Sequence, residues 1–154
     1  MYQDHIAVKQ RHQKFIKKVC DTGIVYGLES EDGFATSSSN ASEDDNDEPI
    51  GIICFWSEKA LAKSCIKNEW QDYQVVEISL SEFMENWCVG MSNDGLLVGT
   101  NFDQNMFGYE AHPLELILDL VTYLRAMLAT IDFKNFLSLD DLEVQVRAIM
   151  QKDA

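Results

Sequence analysis

The sequence predicts an α+β fold, in which a small mixed, mostly antiparallel sheet of about four to five strands packs with helices. Short apolar stretches of strand length alternate with segments of helical periodicity. The chain of 154 residues is the size of one compact domain, so we assign residues 1–154 to a single domain. A helical C-terminal extension is expected over residues 112–154.

The first segment, residues 4–20, has apolar residues at helical spacing. It also carries five of the twelve basic residues, which we interpret as a solvent-facing surface that balances acidic groups elsewhere. Gly23 is expected to end this helix. The sequence IVYGL at 24–28 then predicts the first strand, and GFA at 33–35 predicts its hairpin return.

Composition changes abruptly at residues 36–48, TSSSNASEDDNDE, which contain five carboxylates and no large apolar side chain. A segment of this kind buries too little surface to offset the entropy lost on ordering. We therefore predict a mobile acidic loop over 36–48. Neither frame starting at Asp44 or Asp45 has the glycine and glutamate of a calcium-binding EF-hand loop.

The near-continuous apolar run IGIICFW at 50–56 predicts a central strand covered on both faces. Ser57 follows it and is suited to cap a helix that extends to about Lys67. The free amides at the start of this helix, beside Trp56 and near Lys59, form a candidate anion-binding position. Any capped helix offers such amides, so ordinary capping is the competing interpretation.

Residues 70–102 have the clearest local signals. A β-branched strand at 75–78 leads into Ser79 and Glu82, which have the spacing of a helix capping box. The helix is expected to end near Gly95. In the strand that follows, over 96–100, Gly99 predicts a bulge or a close backbone approach.

Residues after 112 predict two helices. The first runs from Pro113 to Ile131 and has two apolar faces, so it requires cover on two sides. The last helix, capped by Ser138, is one candidate cover. The alternative is a second subunit, which would make a homodimer through the C-terminal helices.

The net charge of −14 disfavours nucleic acids and anionic membranes as partners and favours a basic protein partner. The four cysteines form no C-x-x-C pair, and no apolar signal core or membrane-length apolar run is evident. We therefore expect free thiols and a cytoplasmic location.

No constellation in the sequence predicts catalysis, a metal site or a cofactor. His5 and His12 could share a helix face, but no third metal ligand is evident. Cys65 or Cys88 with His112 would be the pairing for a cysteine nucleophile, although such cysteines are more often packing residues. No nucleotide-binding glycine motif or zinc-protease motif occurs.

Four short motifs resemble a bacterial family catalogued as domain of unknown function 2750. They are WSEKALAK at 56–63, EW at 69–70, ISLSEFxxxW at 78–87 and DGLLVG at 94–99. The resemblance covers roughly residues 15–102. It implies a compact α+β domain and a bacterial origin, and it implies no catalytic activity.

Two function classes follow, of which the first is favoured and the second is the alternative. The first is a protein-binding, regulatory or immunity-like accessory module whose acidic surface engages a basic partner. The second is a small-molecule-binding protein or enzyme with an aromatic pocket beside the Ser57 helix start. The candidate ligand-binding residues of the second class are Trp56, Ser57, Lys59, Trp70 and Trp87.

Overall fold

A computed structural model, which describes residues 5–43 and 46–152, has the predicted α+β architecture. Its mixed sheet has seven strands, more than the four to five predicted. The strands are β1 (Ile24–Ser30), β2 (Gly33–Phe34), β3 (Thr36–Glu43), β4 (Pro49–Trp56), β5 (Gln74–Ser79), β6 (Leu97–Thr100) and β7 (Tyr109–Ala111). The helices are α1 (His5–Thr22), α2 (Lys59–Ser64), α3 (Leu80–Glu82), α4 (Val89–Asn93), α5 (Pro113–Ala126) and α6 (Leu139–Lys152).

Strand β4 lies in the middle of the sheet, as its apolar sequence predicts. One of its edges pairs in parallel with β6, and β6 pairs in turn with β7. The other edge pairs antiparallel with β1 at its C-terminal end and with β3 towards its N-terminal end. Strand β5 covers the far edge of β1. The β4–β6 pair is therefore the parallel element of an otherwise antiparallel arrangement.

The structure corrects the loop predicted over 36–48. Residues Thr36–Glu43 form β3, which pairs antiparallel with β4 and carries a register irregularity between Ser38 and Glu43. The hydrogen bonds that order this polar segment come from β4, a partner that its own composition cannot reveal. A register irregularity of this kind is typical of a protected sheet edge. Residues 44 and 45 of the predicted loop lie outside the described residues.

Alternation along β4 divides the core between the two faces of the sheet. Phe55 belongs to the larger cluster, which includes α1 and the long helical segments. Cys54 and Trp56 belong to a smaller cluster with residues of α2. Helices α1 and α2 therefore pack on opposite faces of the sheet.

The Ser79 half of the predicted capping box is present and begins a continuous helical segment over 80–93. The backbone amide of Glu82 donates to Ser79 Oγ at 3.3 Å, as predicted. The middle of the segment, Phe83–Cys88, is a π-helix between α3 and α4. This π segment buries the Glu85 carboxylate, which accepts bonds from the backbone amides of Lys134 and Asn135.

Gly99 confirms the predicted close approach. A Cβ atom at this position would lie 2.8 Å from Cε1 of Phe102 and 3.0 Å from Cγ2 of Ile52. Both distances are shorter than ordinary van der Waals contacts. The space beside β6 is therefore already filled by its neighbours.

Helix α5 ends at Ala126, five residues before the predicted Ile131, and α6 covers part of it. Leu142 and Val146 of α6 are buried in the same cluster as Leu116 and Leu120 of α5. The predicted intramolecular cover is thus present, although Met127 remains 40% exposed. Ser138 caps α6 through the backbone amide of Asp141, as predicted. None of the helices in the described ranges has the length and apolarity of a membrane span.

All four cysteines are free and buried. Burial raises the pKa of Cys20 to about 12 and also raises the pKa of Cys54, Cys65 and Cys88. A nucleophilic cysteine requires the opposite shift, because the thiolate is the reactive form. The arrangement therefore favours a packing role for these cysteines over a nucleophilic one.

Candidate functional site

A groove of about 530 Å³ lies between α1 and α2, and we call it the basic groove. It is formed where the carboxyl ends of the parallel strands β4 and β6 meet, because Ser57 follows β4 and Asn101 follows β6. In open sheets, the crevice beyond the carboxyl ends of parallel strands is a recurrent ligand position. The remaining lining residues are Arg11, Lys14, Lys17, Lys18, Glu58, Leu61, Ser64, Phe102, Asp103 and Gln104.

The floor of the groove is held by Asn101, which is buried and has a left-handed backbone with φ of 49°. Its Oδ1 accepts from the backbone amide of Ser57 at 2.9 Å. Its Nδ2 donates to Ser57 Oγ at 3.0 Å and to the Arg11 carbonyl at 3.4 Å. Asparagine tolerates this backbone region better than most residues, and here it joins β4, β6 and α1.

These contacts correct the role predicted for Ser57. The cap residue of α2 is Glu58, without a side-chain capping bond, and the helix ends at Ser64 rather than about Lys67. Both the backbone amide and the hydroxyl of Ser57 are hydrogen-bonded to Asn101, and Ser57 does not cap the helix. A helix of six residues provides only a short dipole, so the start of α2 alone does not support the predicted anion position.

The walls of the groove carry four cations and two carboxylates, an excess of two positive charges in a chain of net charge −14. Lys17 pairs with Asp21 at 2.8 Å, and Lys18 lies 3.9 Å from Glu58 across the groove. Lys14 is exposed and has no ion pair with any described residue. The sequence interpretation of these lysines as a solvated face therefore omitted the groove that they line.

Arg11 is fixed at one end of the groove. Its Nη1 lies 3.4 Å from Oδ2 of Asp103, and its Nη2 donates to the Phe107 carbonyl at 3.1 Å. Its Nε is buried without a hydrogen-bond partner among the described residues. Because both terminal nitrogens are engaged, Arg11 supplies a positioned charge with little rotamer freedom.

The tryptophans do not share one pocket. Trp56 is fully buried, donates to the Phe102 carbonyl at 2.9 Å and contacts Trp70 edge to face. Trp87 lies on the opposite face of the sheet, against Phe34. Lys59 is exposed on α2 and does not line the basic groove. Of the five predicted ligand residues, only Ser57 belongs to this groove.

His12, which follows Arg11 in α1, is buried. Its Nδ1 is 2.8 Å from Thr100 Oγ1, and its ring stacks on Tyr109 at 3.9 Å. It therefore has a packing role. The side chain of His5 lies outside the described residues, and no group of three His, Cys, Asp or Glu side chains in the described part of the chain is arranged to hold a metal.

Burial lowers the pKa of His12 to about 4 from an ordinary value of 6.5. Between these pH values the unfolded chain binds a proton that the folded protein does not, so stability should fall as the pH falls. The loss of stability, complete once the pH is below the folded pKa, is on the order of 3 kcal/mol. Urea unfolding measured at several pH values from 7 to 4.5 should show this loss, and the free energy of unfolding of His12→Gln should depend less on pH. An unchanged pH dependence in His12→Gln would contradict the assignment.

The model of one family, described as Protein of unknown function (DUF2750), matches residues 12–120. The chain belongs to the DUF2750 family. The DUF2750 match extends beyond the 15–102 resemblance and includes β1–β7, α2 and most of the basic groove, whereas α6 lies outside it. Comparisons with curated proteins and with solved structures each found no match.

Proposed function

We propose that this protein reversibly binds a small organic anion in the basic groove. The observation that carries the proposal is the concentration of four cations in one groove of a strongly acidic chain. A volume of about 530 Å³ is in the range of small-molecule sites. Leu61, which is 38% exposed, and the aliphatic stems of the lysines offer apolar contact area beside the charges.

This proposal belongs to the second of the two predicted function classes. The proposed site is the basic groove and not the predicted aromatic pocket. Asn101 and Ser57 are hydrogen-bonded to one another, so the floor of the groove is formed before a ligand binds. Such preorganisation lowers the entropic cost of binding. We propose binding rather than catalysis because no nucleophile is paired with a base among the described residues that line the groove.

The proposal predicts that inorganic phosphate, used as a minimal anion, perturbs the NMR amide signals of Ser57 and Asn101. The double variant Lys14→Glu/Lys18→Glu should weaken phosphate binding by about tenfold or more, because it reverses two charges in the groove. The matched control is Lys9→Glu/Lys63→Glu, which changes the net charge equally, at exposed positions of α1 and α2 that do not line the groove.

Equal weakening in both double variants would mean that phosphate affinity depends only on the net charge of the protein. That result, or the absence of any shift at Ser57 and Asn101, would overturn the proposal. Retained affinity in the control with loss in the groove variant supports it.

A basic protein partner is the second candidate function. Glu29, Glu31, Asp32 and Asp72 line one acidic depression of about 640 Å³, which adds a local observation to the net charge. A cytoplasmic location is proposed with both functions and is supported by the four free, buried cysteines. The homodimer through the C-terminal helices and the bacterial origin stay predictions.

A further inference from the structure

A second cavity, of about 330 Å³, adjoins the basic groove, and we call it the Trp70 cavity. Gln104 lines both spaces, and the end of α2 separates them, with Ser64 on the groove side and Cys65 on the cavity side. The boundary is completed by an exposed hydrogen bond of 3.4 Å from Lys67 Nζ to Gln104 Oε1. An exposed bond of this kind is inexpensive to break, so one ligand can extend across it.

The chemistry of the Trp70 cavity differs from that of the groove. Lys67 and Glu69 line it with opposite charges that cancel, so it has no net charge. Ser37, Asn68 and Gln104 offer hydrogen-bond donors and acceptors. Met106 adds apolar area, and so does the small accessible part of Trp70, which is 4% exposed. This lining suits an uncharged ring that carries polar groups.

Two residues at the cavity have left-handed backbones, with φ of 56° at Asn68 and 67° at Met106. A positive φ is uncommon for methionine, and here it lies in a turn in which the Met106 backbone amide donates to the Asp103 carbonyl at 3.0 Å. Conformations of this kind persist where the surrounding structure holds them, and they are concentrated at ligand sites.

We infer that the anion bound in the basic groove carries an uncharged ring with hydroxyl or amine groups, and that this ring enters the Trp70 cavity. The ligand class is a phosphorylated ring compound, which includes sugar phosphates and nucleoside monophosphates. This inference rests on the proposed function, because the phosphoryl group occupies the same four-cation groove.

The test compares glucose 6-phosphate and adenosine monophosphate with inorganic phosphate, using the same amide signals. At least one ring compound should bind about tenfold or more tightly than inorganic phosphate, because only the ring gains contacts in the cavity. Ser37→Phe, which fills the cavity from β3, should remove that gain while leaving phosphate affinity unchanged. Ser38→Phe, the adjacent position on the opposite face of the strand, should retain it.

The inference is overturned if neither ring compound exceeds inorganic phosphate, or if Ser37→Phe leaves the gain intact. In both cases phosphate still binds the groove and the proposed function stands. Failure of the proposed function is distinguishable, because inorganic phosphate then produces no shift at Ser57 and Asn101.

Discussion

Replacing Leu142 by alanine should lower the free energy of unfolding by about 2–5 kcal/mol. Leu142 of α6 is fully buried in the cluster that contains the apolar residues of α5. Truncation removes its contacts and leaves a cavity that the packed helices cannot fill completely. Urea denaturation, read as the change in midpoint at constant slope, measures this effect.

Val144→Ala is the matched control, because Val144 lies on the same helix and is 67% exposed. Its expected cost is below about 0.5 kcal/mol. Equal costs at the two positions would show that α6 does not cover α5 in solution. A second subunit would then be the expected cover for the second apolar face of α5.

Replacing Glu85 by alanine should cost about 2–4 kcal/mol, since it removes the buried acceptor of two backbone amides. Both Glu85 oxygens accept from Lys134, at 3.0 and 3.1 Å, and Oε1 also accepts from Asn135 at 2.8 Å. These bonds fasten the connection between α5 and α6 to the π segment. Without the carboxylate, the two amides lose the charged acceptor that the π segment supplies.

Glu82→Ala provides the comparison, because Glu82 is an exposed carboxylate three residues earlier in the same continuous helical segment. It should cost less than about 0.5 kcal/mol. Hydrogen exchange at Lys134 and Asn135 should accelerate in Glu85→Ala alone. If these amides exchange at wild-type rates in the variant, the proposed fastening is wrong.

Local signals in the sequence were sufficient for most of the fold. The run at 50–56 predicts β4 because both faces of that strand are covered, and Ser79 with Glu82 predicts a helix start whose capping bond forms within four residues. The prediction for Gly99 also succeeded, because a glycine weakens a strand interior and is typical of positions where a neighbour leaves no room for a side chain.

Long-range contacts account for what the sequence did not reveal. Strand β3 is ordered by β4, and Ser57 is engaged by Asn101, which is 44 positions away in the chain. The basic groove forms because α1 and α2, which pack on opposite faces of the sheet, both lie near the carboxyl ends of β4 and β6. The available signal was the concentration of five basic residues near the N-terminus of a chain with net charge −14.

The central claim, that the basic groove binds an anion, is tested most directly by locating the anion itself. Crystals grown without sulfate or phosphate can be soaked with selenate, whose selenium gives an anomalous signal. We predict an anomalous peak within hydrogen-bonding distance of Lys14 or Lys18, and no such peak in crystals of Lys14→Glu/Lys18→Glu. Selenate peaks found only outside the groove, with its cations open to solvent in the crystal, would contradict the account.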